Sequence, residues 1–200
     1  MKVLIVDNKD SFTYNLKHYV SQFCTHVNVV RCDKLHLSQV LVYDKILFSP
    51  GPGLPKDYPI LRHILTRFGS SKSILGICLG HQAIADFYGA SLDNLDCPIH
   101  GVSTKIKHLN NCNLFNKIPI SFQIGHYHSW VVSKKDFPEI LEITSVNENG
   151  FIMSLRHKRY NIKSLQFHPE SILTEHGTLM LSHFFQMMTA PTTDRRGANQ

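Results

Sequence analysis

Three short apolar runs do more than any other feature to constrain how this chain folds. Lys2-Val3-Leu4-Ile5-Val6-Asp7, Lys45-Ile46-Leu47-Phe48 and Ser73-Ile74-Leu75-Gly76-Ile77 are almost uninterrupted in apolar residues. A strand reads this way when both of its faces are covered, as in a parallel sheet between helices, whereas a half-exposed strand alternates. Helical spacing fills the intervals. Phe12, Leu16, Tyr19, Val20 and Phe23 recur every three or four residues behind Asp10 and Ser11, either of which can cap the helix. Val27 to Cys32 reads as a further strand followed by a short helix, Tyr58 to Phe68 as a helix, and Leu79 to Tyr88 as a helix stopped by Gly89. Strand, loop and helix in repetition predict an α/β fold, an open, mostly parallel twisted sheet with helices on both faces.

Beyond Gly89 the texture changes. Strand-like stretches near Val102 to Ile106, Ser121 to Tyr127, Ile140 to Val146, Phe151 to Leu155 and Ile162 to Phe167 are separated by turn-like clusters such as Asn110-Asn111, which predicts an antiparallel extension of the sheet. A last helix is expected over Glu175 to Met188, followed by a frayed polar tail at 190–200. Residues 1–189 are accordingly read as one domain, since 200 residues with 42% hydrophobic and 18% charged content fall within the ordinary range for a single globular core.

Composition excludes several classes of function. The excess of 21 Lys and Arg over 15 Asp and Glu gives a net charge of +6, but the basic residues are scattered, the densest group being Arg156-His157-Lys158-Arg159. No nucleic-acid partner is expected without a clustered basic face and a recognition motif. Five cysteines, Cys24, Cys32, Cys78, Cys97 and Cys112, form no C-x-x-C pair, so neither a disulfide framework nor a metal site is predicted. Asp7 arrives too early for the ~7–15-residue apolar core of a signal peptide, and no run approaches the ~18 of a membrane span. The expectation is a cytoplasmic protein with no membrane partner.

Chemistry concentrates at strand ends. Gly76-Ile77-Cys78-Leu79-Gly80 has the form G-x-C-x-G at a predicted strand-to-helix junction, the cysteine counterpart of the nucleophile elbow. There a sharp turn lifts the nucleophile off the sheet, and the positive end of the helix favours the thiolate. A thiolate in acyl transfer wants a proton-transfer partner and an orienting group. Phe167-His168-Pro169-Glu170 supplies both: if the segment is extended, His168 and Glu170 at i, i+2 point to one side. His81 is the rival base, but it lies on the helix that Cys78 begins and reads as a packing residue. Ser49-Pro50-Gly51-Pro52-Gly53 follows a strand as well, with glycines that allow close approach to a ligand and prolines that stiffen the loop. It lacks the glycine spacing and the Gly-Lys-Ser/Thr ending of a phosphate loop.

Taken together these segments resemble the class I (triad) glutamine amidotransferases from residue 1 to about 188, a family with a flavodoxin-like sheet. The resemblance implies that Cys78 attacks the carboxamide of L-glutamine and forms a glutamyl thioester, with His168 as general base and acid and Glu170 as its orienter. It further implies that the N–H groups of Gly53 and Leu79 form the oxyanion hole, and that Gln82 with the backbone near Gly51, Ser129 and Trp130 holds the glutamine. Asp7-Asn8-Lys9-Asp10-Ser11-Phe12-Thr13-Tyr14-Asn15-Leu16, Tyr127-His128-Ser129 and Phe167-His168-Pro169-Glu170-Ser171-Ile172-Leu173 look like the glutaminase subunits that serve anthranilate synthase or aminodeoxychorismate synthase. Such a subunit carries no cofactor. The expected partner is a chorismate-binding synthase, component I, supplied in trans and holding its own Mg²⁺. Two positions depart from the subfamily, which carries arginine before Tyr-His-Ser and lysine after His-Gly: here they are His126 and Val102. Tyr127 and His128 read as interface, supporting or packing residues. A different class of enzyme with the same elbow, a stand-alone γ-glutamyl hydrolase or cysteine peptidase, is the alternative.

Overall fold

The computed structural model describes residues 1–186, so the expected tail at 190–200 and the last two positions of the expected final helix lie outside the described residues. The elements are β1 (Lys2–Asp7), α1 (Thr13–Val20), β2 (His26–Arg31), β3 (Lys45–Phe48), α2 (Pro59–Phe68), β4 (Ser73–Ile77), α3 (Leu79–Phe87), β5 (Leu92–His108), β6 (Ser121–Val132), β7 (Leu141–Asn147), β8 (Ile152–His157), β9 (Ile162–Leu165) and α4 (Gly177–Gln186). All nine strands join one sheet in the order β2-β1-β3-β4-β9-β8-β7-β5-β6. The first five are mutually parallel, and from β9 onward each neighbour is antiparallel. The predicted α/β architecture, with its antiparallel extension, is therefore the observed one. Among the described residues no helix is long and apolar enough to cross a membrane.

The apolar runs are explained by two cores, one on each face of the parallel half. Val3 and Ile5 of β1 pack with Leu16 and Val20 of α1 and with Met180, Leu181, Phe184 and Phe185 of α4. Leu4 and Val6 point the other way, to Leu61, Ile64 and Leu65 of α2 and to Leu79, Ala83 and Ile84 of α3. Each side chain so covered contributes about 1.5–3 kcal/mol, which is why the middle of these strands is apolar on both faces.

Several boundaries differ from expectation. The short helix after β2 is a 3₁₀ segment, Leu37–Val42. At the start of α1 neither Asp10 nor Ser11 is the cap residue. Phe12 holds that place, and the Asp10 carboxylate instead accepts the Phe12 N–H at 2.8 Å in the turn before it. Strand β5 runs ten residues further back than Val102, because pairing with β6 holds a stretch whose own pattern, exposed on both faces, carries no strand periodicity. The final helix starts at Gly177, since His176 takes a left-handed φ of 59° that does not continue a helix.

Helix α3 rides directly on the sheet. A Cβ at Gly76 would lie 2.4 Å from the carbonyl oxygen of Gly80, and one at Gly80 would lie 2.7 Å from the Phe48 carbonyl oxygen. Both obstacles are backbone, so neither yields cheaply. Gly76→Ala is expected to lower the unfolding free energy by about 1–3 kcal/mol, read from urea denaturation; an unchanged midpoint would show that the helix lifts without cost.

Candidate active site

Loops following β1, β3, β4 and β9 meet at the C-terminal edge of the parallel half, the edge at which ligands bind in open α/β sheets. Cys78 sits between β4 and α3 with φ 51° and ψ −101°, a conformation that costs a non-glycine residue on the order of 1–3 kcal/mol. Its N–H donates to the Leu165 carbonyl at 2.8 Å, which pins the elbow to β9. The small residues at 76 and 80 let the turn close against the sheet. Cys78 lines a cleft of about 200 Å³ together with Gly51, Gly53, Gln82, Ser129 and Trp130. Leu79 opens α3 with its side chain buried in the core, so at this edge it offers only its backbone N–H.

His168 and Glu170 lie just past β9. The expected extended geometry does not occur: β9 ends at Leu165, and the chain turns with the Ser171 N–H donating to the His168 carbonyl at 3.2 Å. Pro169 has no N–H to continue a ladder. The turn nevertheless brings His168 Nδ1 within 2.8 Å of Glu170 Oε1, with both residues buried. Burial opposes the imidazolium, but attraction to Cys78, and then to Glu170, outweighs it and raises the His168 pKa well above the ordinary value. His168 Nε2 and Glu170 Oε2 are buried without a hydrogen-bond partner. An imidazole tied at Nδ1 to a carboxylate and open at Nε2 is set up to exchange a proton with a neighbouring nucleophile or leaving group.

The loop at 49–53 is fixed from below. Asn8 donates from Nδ2 to the Ser49 carbonyl at 2.8 Å and from its backbone N to Ser49 Oγ at 2.9 Å, while the Tyr58 hydroxyl donates to the Pro52 carbonyl at 2.7 Å. Across the cleft, Gln82 Nε2 donates to the Trp130 carbonyl at 3.0 Å and lies 3.3 Å from Gln166 Oε1; Gln166 Nε2 in turn lies 3.7 Å from Cys78 Sγ. Sequence reasoning assigns no role at the site to Asn8 or Gln166. The signal that could have found them is a polar side chain immediately beyond a buried strand, at the edge where the site lies.

Three further buried histidines surround the site. His81 is fully buried with Nδ1 2.8 Å from Ser164 Oγ, against the sheet rather than in the cleft, and burial, then His128, lowers its pKa to about 3. His126 and His128 bond to each other at 2.9 Å, and Thr104 Oγ1 lies 2.6 Å from His126 Nε2. Burial, then His168, brings His126 to about 4, and burial with His126 and His168 brings His128 to about 3. Val102 and His126, the two departures from the subfamily pattern, are cross-strand partners of β5 and β6, so they alter one place and not two.

These three neutral histidines make the fold sensitive to acid. Unfolded, each takes up a proton near pH 6.5, whereas folded it does so only near 3 or 4, so stability is full above pH ~6.5 and falls as the pH drops. His81→Gln should flatten that fall by up to about 1.4 kcal/mol per pH unit in denaturation measured between pH 6.5 and 4.5; an unaltered slope would mean that His81 is charged in the native state. A second expectation concerns Gly177, where a Cβ would lie 1.9 Å from the Pro169 carbonyl oxygen. Gly177→Ala should displace the turn and remove the low-field proton resonance of the His168–Glu170 bond, and its persistence would show that α4 moves instead.

The model of the family described as Glutamine amidotransferase class-I matches residues 4–188. Anthranilate synthase component 2 of Pyropia yezoensis is 40% identical over 187 residues, covering 92% of this chain and 98% of that protein. Aminodeoxychorismate synthase component 2 of Klebsiella aerogenes is 37% identical over 184 residues, 91% of this chain and 98% of that one. A crystal structure from Thermoplasma acidophilum, provisionally assigned to a GMP synthase, superposes with a TM-score of 0.84 at 23% identity, over 93% of this chain and 92% of its own, and so shares the fold. With the matched region spanning the elbow, the cleft and the turn after β9, the chain belongs to the class I glutamine amidotransferase family.

Proposed function

We propose that this chain is the glutaminase subunit of a chorismate-using synthase of the anthranilate or aminodeoxychorismate type, hydrolysing L-glutamine and passing the ammonia to a separate component I. The observation that carries this reading is the strained Cys78 elbow opening on a cleft beside a buried His168–Glu170 pair bonded at 2.8 Å. The names of the relatives supply the acceptor chemistry.

In this mechanism glutamine is held in the cleft by Gln82 and by the chain at Gly51, Ser129 and Trp130. The Cys78 thiolate adds to the carboxamide carbon, and the resulting oxyanion is received by the N–H groups of Gly53 and Leu79. Losing one such donor typically costs ~10²–10³-fold in rate. His168 gives its proton to the departing nitrogen, so ammonia leaves and a glutamyl thioester remains. The neutral imidazole then takes a proton from water, the hydroxide displaces the sulfur, and glutamate is released. Glu170 keeps the imidazole oriented and stabilises its charged form.

Cys78→Ala is expected to abolish glutamine-dependent product formation with the partner while leaving synthesis from ammonium salts intact, and Glu170→Ala should slow it less than His168→Ala does. The assay supplies chorismate, Mg²⁺ and the component I of either an anthranilate synthase or an aminodeoxychorismate synthase, and identifies the product. Glutamine-dependent product with either component I supports the reading; loss of the ammonium-dependent reaction in Cys78→Ala would contradict the division of labour, and no glutamine-dependent product with either would remove the chorismate assignment.

A further inference from the structure

His168 is tied at Nδ1 to Glu170 and has Cys78 as its other polar neighbour. The rest of the ring is met by aromatic side chains. Tyr127 meets it edge-on at 4.9 Å between centroids, Phe12 meets it edge-on at 5.9 Å, and the two lie 5.8 Å from each other. With His168 only 3% exposed, these rings are also part of what keeps water from the pair it forms with Glu170.

Tyr127 is itself held on two sides. Its hydroxyl lies 3.0 Å from Ser171 Oγ, in the residue after Glu170, and His100 of β5 packs edge-on against its ring at 5.1 Å. The same strand is stitched to the chain beyond the turn at alternate residues: the Gln123 N–H donates to Glu175 Oε2 at 2.8 Å and the Gly125 N–H to Thr174 Oγ1 at 3.0 Å. Two and three residues further along β6, Ser129 and Trp130 line the cleft, as Tyr127 does. One side chain therefore touches both the wall of the cleft and the ring of His168.

We propose that Tyr127 is a positioning residue for His168, its ring setting the orientation of the imidazole and its hydroxyl locking strand β6 to the turn that carries His168 and Glu170. This rests on the glutaminase reading for its consequence in catalysis, but not for its geometry. The titratable groups facing His168 are Cys78 from the head of α3, Glu170 from its own turn, and His126 and His128 from β6. Cys78 and Glu170 favour its charged form, whereas His126 and His128 stay neutral and have their own pKa values lowered by its charge. A ring that drifts from Cys78 and Glu170 loses more than the wetter surroundings return, so its proton should leave at lower pH.

The test compares Tyr127→Leu with Tyr127→Phe. In the leucine variant kcat for glutamine-dependent synthesis should fall by about tenfold or more, with KM for glutamine within about twofold and the ammonium-dependent rate unchanged. The His168 ring, followed by NMR in the labelled protein, should titrate at lower pH. Phenylalanine, which keeps the ring, should restore the titration and most of kcat. A rise confined to KM would make Tyr127 a substrate contact, and a loss of kcat with unaltered His168 titration would make its role bulk packing; either overturns the proposal. The titration is read without turnover. A wild-type protein with no glutaminase activity and no labelling of Cys78 by an electrophilic glutamine analogue would sink the functional reading while the His168 titration in the variants still decided the positioning role.

Discussion

The parallel pairing of β4 with β9 carries the rest of the arrangement. Its register, Ile74 with Ile162 through Ile77 with Leu165, sets the last residues of the two strands side by side, and the Cys78 N–H extends the ladder by one bond onto Leu165. Cys78 and His168 then leave the sheet from adjacent strands at one edge, although 90 positions separate them in the chain. A shift of one residue in this register would turn every side chain of β9 to the opposite face and exchange the two cores. The mutual fit of Gly76, Gly80 and Phe48 seats α3 closely on β4 and β3, and so fixes the elbow relative to β4.

Around this edge the electrostatics are divided. His168 is held charged by its neighbours, whereas His81, His126 and His128 are kept neutral by burial, and His126 and His128 each feel the charge of His168. The protein thus concentrates one positive charge where the Cys78 sulfur and a carboxylate face it and surrounds it with uncharged imidazoles. In a dry site such charges interact far more strongly than they would in water. His126 fits this division, since a neutral ring bonded to His128 and close to Thr104 adds no competing charge.

Much of this was legible in the residues. Strands buried on both faces have no ambiguity of pattern, and β3 and β4 occur where their apolar runs predict them. The elbow was legible because only a glycine-flanked junction packs a helix so closely on a strand. Other parts depended on partners remote in sequence. The first half of β5 has the composition of a loop and becomes a strand only because β6 pairs with it. His168 and Glu170 meet through a turn made by Pro169 and seated against Gly177, a contact that no spacing rule contains. The aromatic contacts to His168 come from the residue before α1 and from β6 together, so Phe12 carried no assignment at the site and Tyr127 read only as an interface, supporting or packing residue.

The place of β9 in the sheet bears on how the protein is made. This strand is the last of the nine to be synthesised, yet it lies in the middle, with β4 on one side and β8 on the other. Until residues 162–165 leave the ribosome, the strands already made can pair only as a four-stranded parallel piece and a four-stranded antiparallel piece, with β4 and β8 each lacking the neighbour that β9 supplies. Such edges are prone to join other strands. The nascent polypeptide therefore passes through an interval in which the two pieces are joined by the chain but not by the sheet's hydrogen bonds, and the arrival of four buried residues, Ile162, Lys163, Ser164 and Leu165, closes both edges at once.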